Sequence, residues 1–119
     1  MVTDIQTFNP EPDTTVVQVS GQLHAGNTLL TIENALKRLV DGGVRKLIVD
    51  LSQVKLIDSS GIGVLVVANA QIRQAGGQMR LVCPPGAVGH VLDLVNISQV
   101  VPIDVDLESA YTKVKAATA

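Results

Sequence analysis

The run Lys46-Leu47-Ile48-Val49-Asp50-Leu51, the turn Asp58-Ser59-Ser60-Gly61-Ile62-Gly63 and the pair Gly76-Gly77 decide how this chain folds. Leu47-Ile48-Val49 is a short apolar run, the pattern of a strand covered on both faces. Residues 62–74 are ambiguous locally, because Ile62, Val64, Val66 and Val67 also suit a strand. Length decides for a helix, since about a dozen residues exceed most strands. Serines at its start can cap it and the two glycines can end it. A buried strand followed by a buried helix is half of a βαβ unit, so the sheet around it is parallel.

Working outward, the same alternation continues. Residues 78–83 read as a strand, and Pro84-Pro85 as the start of a helix with Val88, Val91, Leu92 and Val95 as its stripe. Residues 100–103 form a last short strand. Asp106 caps a final helix with Leu107, Ala110, Tyr111 and Val114 on one face. Towards the front, Leu29, Ile32, Leu36, Leu39 and Val40 recur at helical spacing between a cap at Asn27 or Thr28 and a stop at Gly42-Gly43. Residues 5–8 and 16–20 read as strands joined by the turn former Asn9-Pro10-Glu11-Pro12-Asp13, and residues 21–26 break the pattern before the first helix. The order is β-β-α-β-α-β-α-β-α. It implies an α/β fold: a mixed, mostly parallel sheet, an N-terminal hairpin that puts the first strand at an edge, and about four helices.

The 119 residues fit one domain spanning 1–119, large enough to bury a core without staples. Hydrophobic residues make up 46% and charged ones 17%, which excludes a disordered chain. Only Phe8 and Tyr111 are aromatic, so the core is aliphatic and base stacking on single-stranded nucleic acid is not expected. Nine basic against eleven acidic residues, with no basic stripe, give no footprint of a nucleic-acid binder. A single cysteine, Cys83, forms no internal disulfide. The first residues show no secretory leader, and the longest wholly apolar stretch, residues 64–68, is far short of the roughly 20 a spanning helix needs. These features imply a cytoplasmic protein without direct membrane insertion.

Chemistry concentrates in Asp58-Ser59-Ser60-Gly61-Ile62-Gly63. A strand-to-helix turn exposes unpaired N–H groups at the positive end of a helix, so Ser59 or Ser60 could carry or meet a phosphate there. Gly61 and Gly63 would keep side chains out of the way. On the plainer reading the serines are ordinary caps and the glycines allow close packing. Asp58 could orient the Ser59 hydroxyl or simply favour a helix N-terminus.

This stretch resembles the signature of the STAS family, which includes the bacterial anti-sigma factor antagonists. The resemblance runs from Leu47-Ile48-Val49-Asp50-Leu51-Ser52 through Ile57-Asp58-Ser59-Ser60-Gly61-Ile62-Gly63-Val64-Leu65. It continues through Gln71-Ile72-Arg73-Gln74-Ala75-Gly76-Gly77-Gln78-Met79-Arg80-Leu81-Val82 and residues 88–97, with Val19-Ser20-Gly21-Gln22-Leu23 at the front. It implies that Ser59, directly after the Asp of the motif, is the phosphorylated residue. It further implies partner switching: the unmodified protein binds an anti-sigma factor that is also a serine kinase, phosphorylation breaks the complex, and a serine phosphatase restores it. Asp58, Ser59, Ser60, Gly61, Ile62 and His24 would form the partner surface. The ATP would belong to the kinase, so no cofactor is expected. His24 departs from the pattern, because the antagonists usually have an Asp there. A STAS subunit of a transporter or stress-signalling complex, never phosphorylated, is the alternative.

The remaining candidates carry less. Asp50, at a strand end, and Cys83, at a strand-to-helix turn, are the groups a small phosphotransfer enzyme could use. The plainer readings are a solvated strand end for Asp50 and a buried structural thiol for Cys83. His24 and His90 lack metal-ligand spacing, so no zinc site is expected; His24 belongs to a surface loop and His90 to the polar side of its helix. No nucleotide fingerprint, nucleophile elbow or triad is present. The chain is therefore not expected to be an enzyme. Apolar surface around Ile62 and Val64 would suit a protein contact, or would simply be core.

Overall fold

The structure is a computed structural model that describes residues 4–116. The expected domain ends, 1 and 119, lie outside the described residues. Strand β1 (Asp4–Glu11) and strand β2 (Thr14–Leu23) form the antiparallel hairpin at one edge. Helix α1 (Asn27–Asp41), strand β3 (Lys46–Ile57), helix α2 (Ser59–Gln74) and strand β4 (Gln78–Val82) follow. Helix α3 (Ala87–Leu94), a 3-10 turn (Ile97–Gln99), strand β5 (Ile103–Asp104) and helix α4 (Leu107–Ala116) complete the chain. The strands lie side by side in chain order, with every pair after the hairpin parallel. The expected order and edge position of the first strand are both borne out.

Side-chain alternation in the strands sorts the core onto two faces. Val17, Val19, Leu47, Val49, Met79 and Leu81 meet the apolar faces of α1, α2 and α3 in the larger core. Val16, Ile48 and Val82 face the other way and meet Ala110 and Val114 of α4. The run at 47–49 is buried on both faces because helices cover both sides of β3.

Several element bounds differ from the sequence expectation. β1 runs on through Asn9-Pro10-Glu11, and the turn is only Pro12-Asp13. An edge strand tolerates Pro10, and the pairing is irregular between Phe8 and Glu11. β2 continues through Gly21-Gln22-Leu23 instead of stopping at Ser20. Gly21 has φ 101°, a conformation that glycine adopts without the cost a side chain would add, beside a register shift in the pairing with β3. β3 reaches Ile57, well past the expected Leu51.

Helix starts were also misplaced. Gly26, with no side-chain cap, holds the N-cap of α1, and Gly86 holds that of α3, so Pro84-Pro85 precede that helix. α2 begins at Ser59, three residues early, and Asp58 caps it in place of the serines. β4 ends at Val82, not Cys83. The last strand is Ile103–Asp104, because residues 97–99 form the 3-10 turn and Val100 and Val101 follow it outside the sheet. Asp106 does accept from the Ser109 N–H at 2.8 Å, as expected of a cap.

Candidate functional site

Both parallel strands that lead to the site, β2 and β3, end together, with Leu23 beside Ile57. Asp58 then joins three pieces of chain. Its N–H donates to the Leu23 carbonyl at 3.2 Å. Its Oδ1 accepts from the Gly61 N–H at 2.9 Å, the N-cap bond of α2. Its Oδ2 accepts from the Ala25 N–H at 3.1 Å. The Gly61 and Ala25 N–H groups hold the Asp58 carboxyl below its ordinary value, with help from the Ser60 N–H and the nearby His24 charge and against the desolvation that would raise it.

Gly61 is the contact that allows this approach. It is buried, and a Cβ there would overlap the Leu23 carbonyl oxygen and stand 3.1 Å from Ile57 Cγ1. Gly63, by contrast, faces open space. The expectation that both glycines clear room for packing therefore holds for Gly61 alone.

Ser59 and Ser60 are exposed in the first turn of α2. Of the N–H groups at this helix start, that of Gly61 is already taken by Asp58. His24 lies in the loop leaving β2, exposed as expected, with Nδ1 3.1 Å from the Ala25 carbonyl oxygen and Nε2 2.8 Å from Gln22 Oε1. Asp58, Ser59, Ser60, Ile62 and His24 thus belong to one surface region, brought together by the bonds from 58 to 23 and 25, while Gly61, expected on that surface, lies buried beneath it.

Of the two readings of the apolar residues here, protein contact or core, Val64 follows the second. Val64 is buried and Ile62 half-buried. Leu56, 50% exposed before the turn, and Val67, 47% exposed on α2, are the apolar side chains left to solvent.

The other candidates fall elsewhere. Asp50 is not a solvated strand end: it lies inside β3, 2% exposed, accepting from Gln18 Nε2 at 3.1 Å and the Ser52 N–H at 2.9 Å. Cys83 is buried, as the structural reading expected. Burial, with the negative field of Asp93 and Asp50, pushes its thiol above the ordinary value, away from the thiolate a nucleophile needs. Sequence distance hid a grouping here. Cys83, His90, Asp93 and Ser98 all line a cavity of about 480 Å³ at the start of α3 and the ends of β4 and β5. Among the described residues no cluster of His, Cys, Asp and Glu could hold a metal ion, and no helix is long and apolar enough to cross a membrane.

The model of the STAS domain matches residues 7–110, which include the hairpin from Thr7 on, the Asp58 turn and the start of α4. The chain belongs to the STAS domain family. Among its relatives is a candidate anti-sigma factor antagonist of Thermotoga maritima, 29% identical over 103 residues, 87% of this chain and 91% of that protein. A crystal structure of a candidate anti-sigma factor antagonist from the same organism superposes with a TM-score of 0.83 at 27% identity, covering 93% of this chain and 94% of that one. The Bacillus cell fate determinant SpoIIAA, solved in its phosphorylated form, has the same fold at 19% identity, with a TM-score of 0.71 over 93% of this chain and 99% of its own.

Proposed function

We propose that this STAS domain is an anti-sigma factor antagonist that regulates sigma-factor-dependent transcription by partner switching. Unmodified, it binds an anti-sigma factor with serine kinase activity through Asp58, Ser59, Ser60, Ile62 and His24, with the buried Gly61 holding the turn beneath them. The kinase, using its own ATP, phosphorylates Ser59; the complex then separates, and a serine phosphatase restores it. The chain acts by binding in the cytoplasm as one domain, residues 1–119, and needs no cofactor or chemistry of its own.

The observation that carries this reading is the exposed hydroxyl of Ser59 on a helix start that Asp58 fixes to β2. A kinase can reach it without unfolding anything. Phosphorylation adds nearly two negative charges in the middle of the surface. Asp58 has already taken the Gly61 N–H of the first turn, and its carboxylate adds to the negative charge there. Burying it in a complex costs desolvation and repels acidic neighbours. Similarity to anti-sigma factor antagonists supports the role, and the phosphorylated SpoIIAA shows that this fold can carry a phosphate.

Mass spectrometry of the protein from its native host tests the reading. We expect a phosphate on Ser59 that is absent in Ser59→Ala, and a partner that Ser59→Ala retains in a pull-down and Ser59→Asp loses. A partner held equally by all three proteins, with Ser59 unmodified under every growth condition, would replace the switch by a constitutive STAS subunit.

A further inference from the structure

Among the parallel strands, β4 and β5 are the one neighbouring pair whose following helices leave for opposite faces of the sheet. α1, α2 and α3, which follow β2, β3 and β4, contribute to the larger core. α4, which follows β5, packs on the other face. The ladder between β4 and β5 closes with the Cys83 N–H donating to the Asp104 carbonyl at 2.9 Å. Beyond that bond the two chain segments part, Pro84 towards α3 and Val105 towards α4. Strands that part in this way leave a crevice at their carboxyl ends, where open α/β sheets bind ligands. The cavity of about 480 Å³ lies there, lined by Cys83 and Pro84 from the end of β4 and by Ile103 and Val105 from β5 and its exit. Its volume falls within the range of about 300–1,000 Å³ found for small-molecule sites.

The lining selects among ligands. Pro84, Ile103 and Val105 give it an apolar side, and Val105 is 56% exposed. Asp93 is the one acidic side chain in the lining, which has no lysine or arginine. No ion pair occupies that carboxylate among the described residues. Its field reaches Cys83: after burial, Asp93 and Asp50 are what raise that thiol. α3 starts here without a side-chain cap, so its first N–H groups are donors for an oxygen atom. His90 and Ser98 add further hydrogen-bonding groups.

We propose that this crevice binds a small organic amine, with its ammonium against Asp93 and its apolar body along Pro84, Ile103 and Val105. The site is separate from the Ser59 turn, which follows β3 at the same end of the sheet, and does not depend on the reading of that residue. An amine meets both features of the lining at once. A carboxylate or phosphate would gain from the start of α3 but would face Asp93. A wholly apolar molecule would take water from that carboxylate and give it no partner.

The test uses the full chain, labelled with nitrogen-15, and three probes of similar shape: phenethylamine, the neutral phenylethanol and the anionic phenylpropionate. Amide shifts are followed as each probe is titrated. We expect phenethylamine to give saturable shifts centred on the ends of β4 and β5 and on α3. Phenylethanol should bind about twofold to fivefold more weakly, the scale of one exposed ion pair, and phenylpropionate more weakly again. Asp93→Asn should bring phenethylamine down to the level of phenylethanol and leave phenylethanol unchanged. Asp41→Asn, which removes an exposed carboxylate at the end of α1, controls for net charge and should alter neither. Absence of saturable shifts in the crevice with all three probes would overturn the site. Tighter binding of phenylethanol or phenylpropionate than of phenethylamine would overturn the amine. Equal affinity for phenethylamine with and without Asp93→Asn would do the same.

Discussion

At Gly61 a single methyl group decides whether α2 can start where it does. The added Cβ would overlap the Leu23 carbonyl oxygen, which already accepts from Asp58, so backbone rather than a flexible side chain must yield. We expect Gly61→Ala to cost about 2–3 kcal/mol, in the range of overpacked interiors. Gly63→Ala, two residues on and facing open space within the same helix, should be neutral or stabilising by up to about 1 kcal/mol. Urea midpoints of the two variants separate the cases, and equal losses would refute the close approach. The motif Asp58-Ser59-Ser60-Gly61-Ile62-Gly63 was legible as a strand-to-helix turn, because it stands between the apolar run at 47–49 and a helix-length segment ended by Gly76-Gly77. Which glycine touches Leu23 was not, since that depends on a strand some forty residues earlier. Nor did the residues disclose that Asp58, and not a serine, takes the Gly61 N–H. Both residue types cap helices well, and Asp58 alone also holds the Ala25 N–H.

At the scale of elements, α4 is attached differently from the other helices. Its apolar anchor is small: Ala110 and Val114 against Val16, Ile48 and Val82. A charge cluster adds to it. The Asp104 side chain, 0% exposed, receives Arg80 Nε at 2.6 Å and Nη2 at 3.3 Å, and Lys113 of α4 at 2.8 Å. Burial alone would raise the Asp104 carboxyl, but Arg80 and Lys113 together outweigh it and hold it below 3.8. A depressed carboxyl adds stability that is complete above its unfolded value and is lost as pH falls through the folded one. The acid limb of stability below about pH 4 should therefore be shallower in Asp104→Asn. Asp104→Ala, which leaves Arg80 without its carboxylate, should cost about 3 kcal/mol. Lys113→Ala should cost under about 1 kcal/mol, because the Lys113 side chain is 55% exposed. Similar losses in the two alanine variants by chemical denaturation would count against the buried arginine pair as the main attachment. Element boundaries show where the sequence was hard to read. In β3, Leu51, Val54 and Ile57 are buried at intervals of three, because register shifts against β2 break the period of two. A reader looking for alternation stops at Leu51. By contrast, the stripe Leu29, Ile32, Leu36, Val40 keeps helical spacing without interruption, and α1 stops at Gly42 as expected even though its cap lies at Gly26.

For the molecule as a whole, the question is whether the surface around Ser59 is firm or yielding. A switch that works by charge needs a firm platform; one that works by refolding needs a loose one. The sheet favours the first. β3 is paired on both sides over residues 46–50 and buried at 47–51, and it stays paired with β2 up to Ile57, directly before the Asp58 turn. β1 is an edge strand with most of its residues exposed, and α4 holds to the sheet through the small cluster and the Asp104 pairs. Hydrogen exchange should rank these accordingly. Amides at 47–51 should exchange only with global unfolding. Those of β1 and α4 should exchange at least about tenfold faster, through local opening. The decisive comparison is with Ser59→Asp. If the added charge acts on the partner and not on the fold, protection at 47–51 and across α2 beyond its first turn should match that of the unmodified sequence, while partner binding is lost. Protection lost along α2 would mean that the charge works by loosening the helix, and the account of a firm, exposed Ser59 would fall with it.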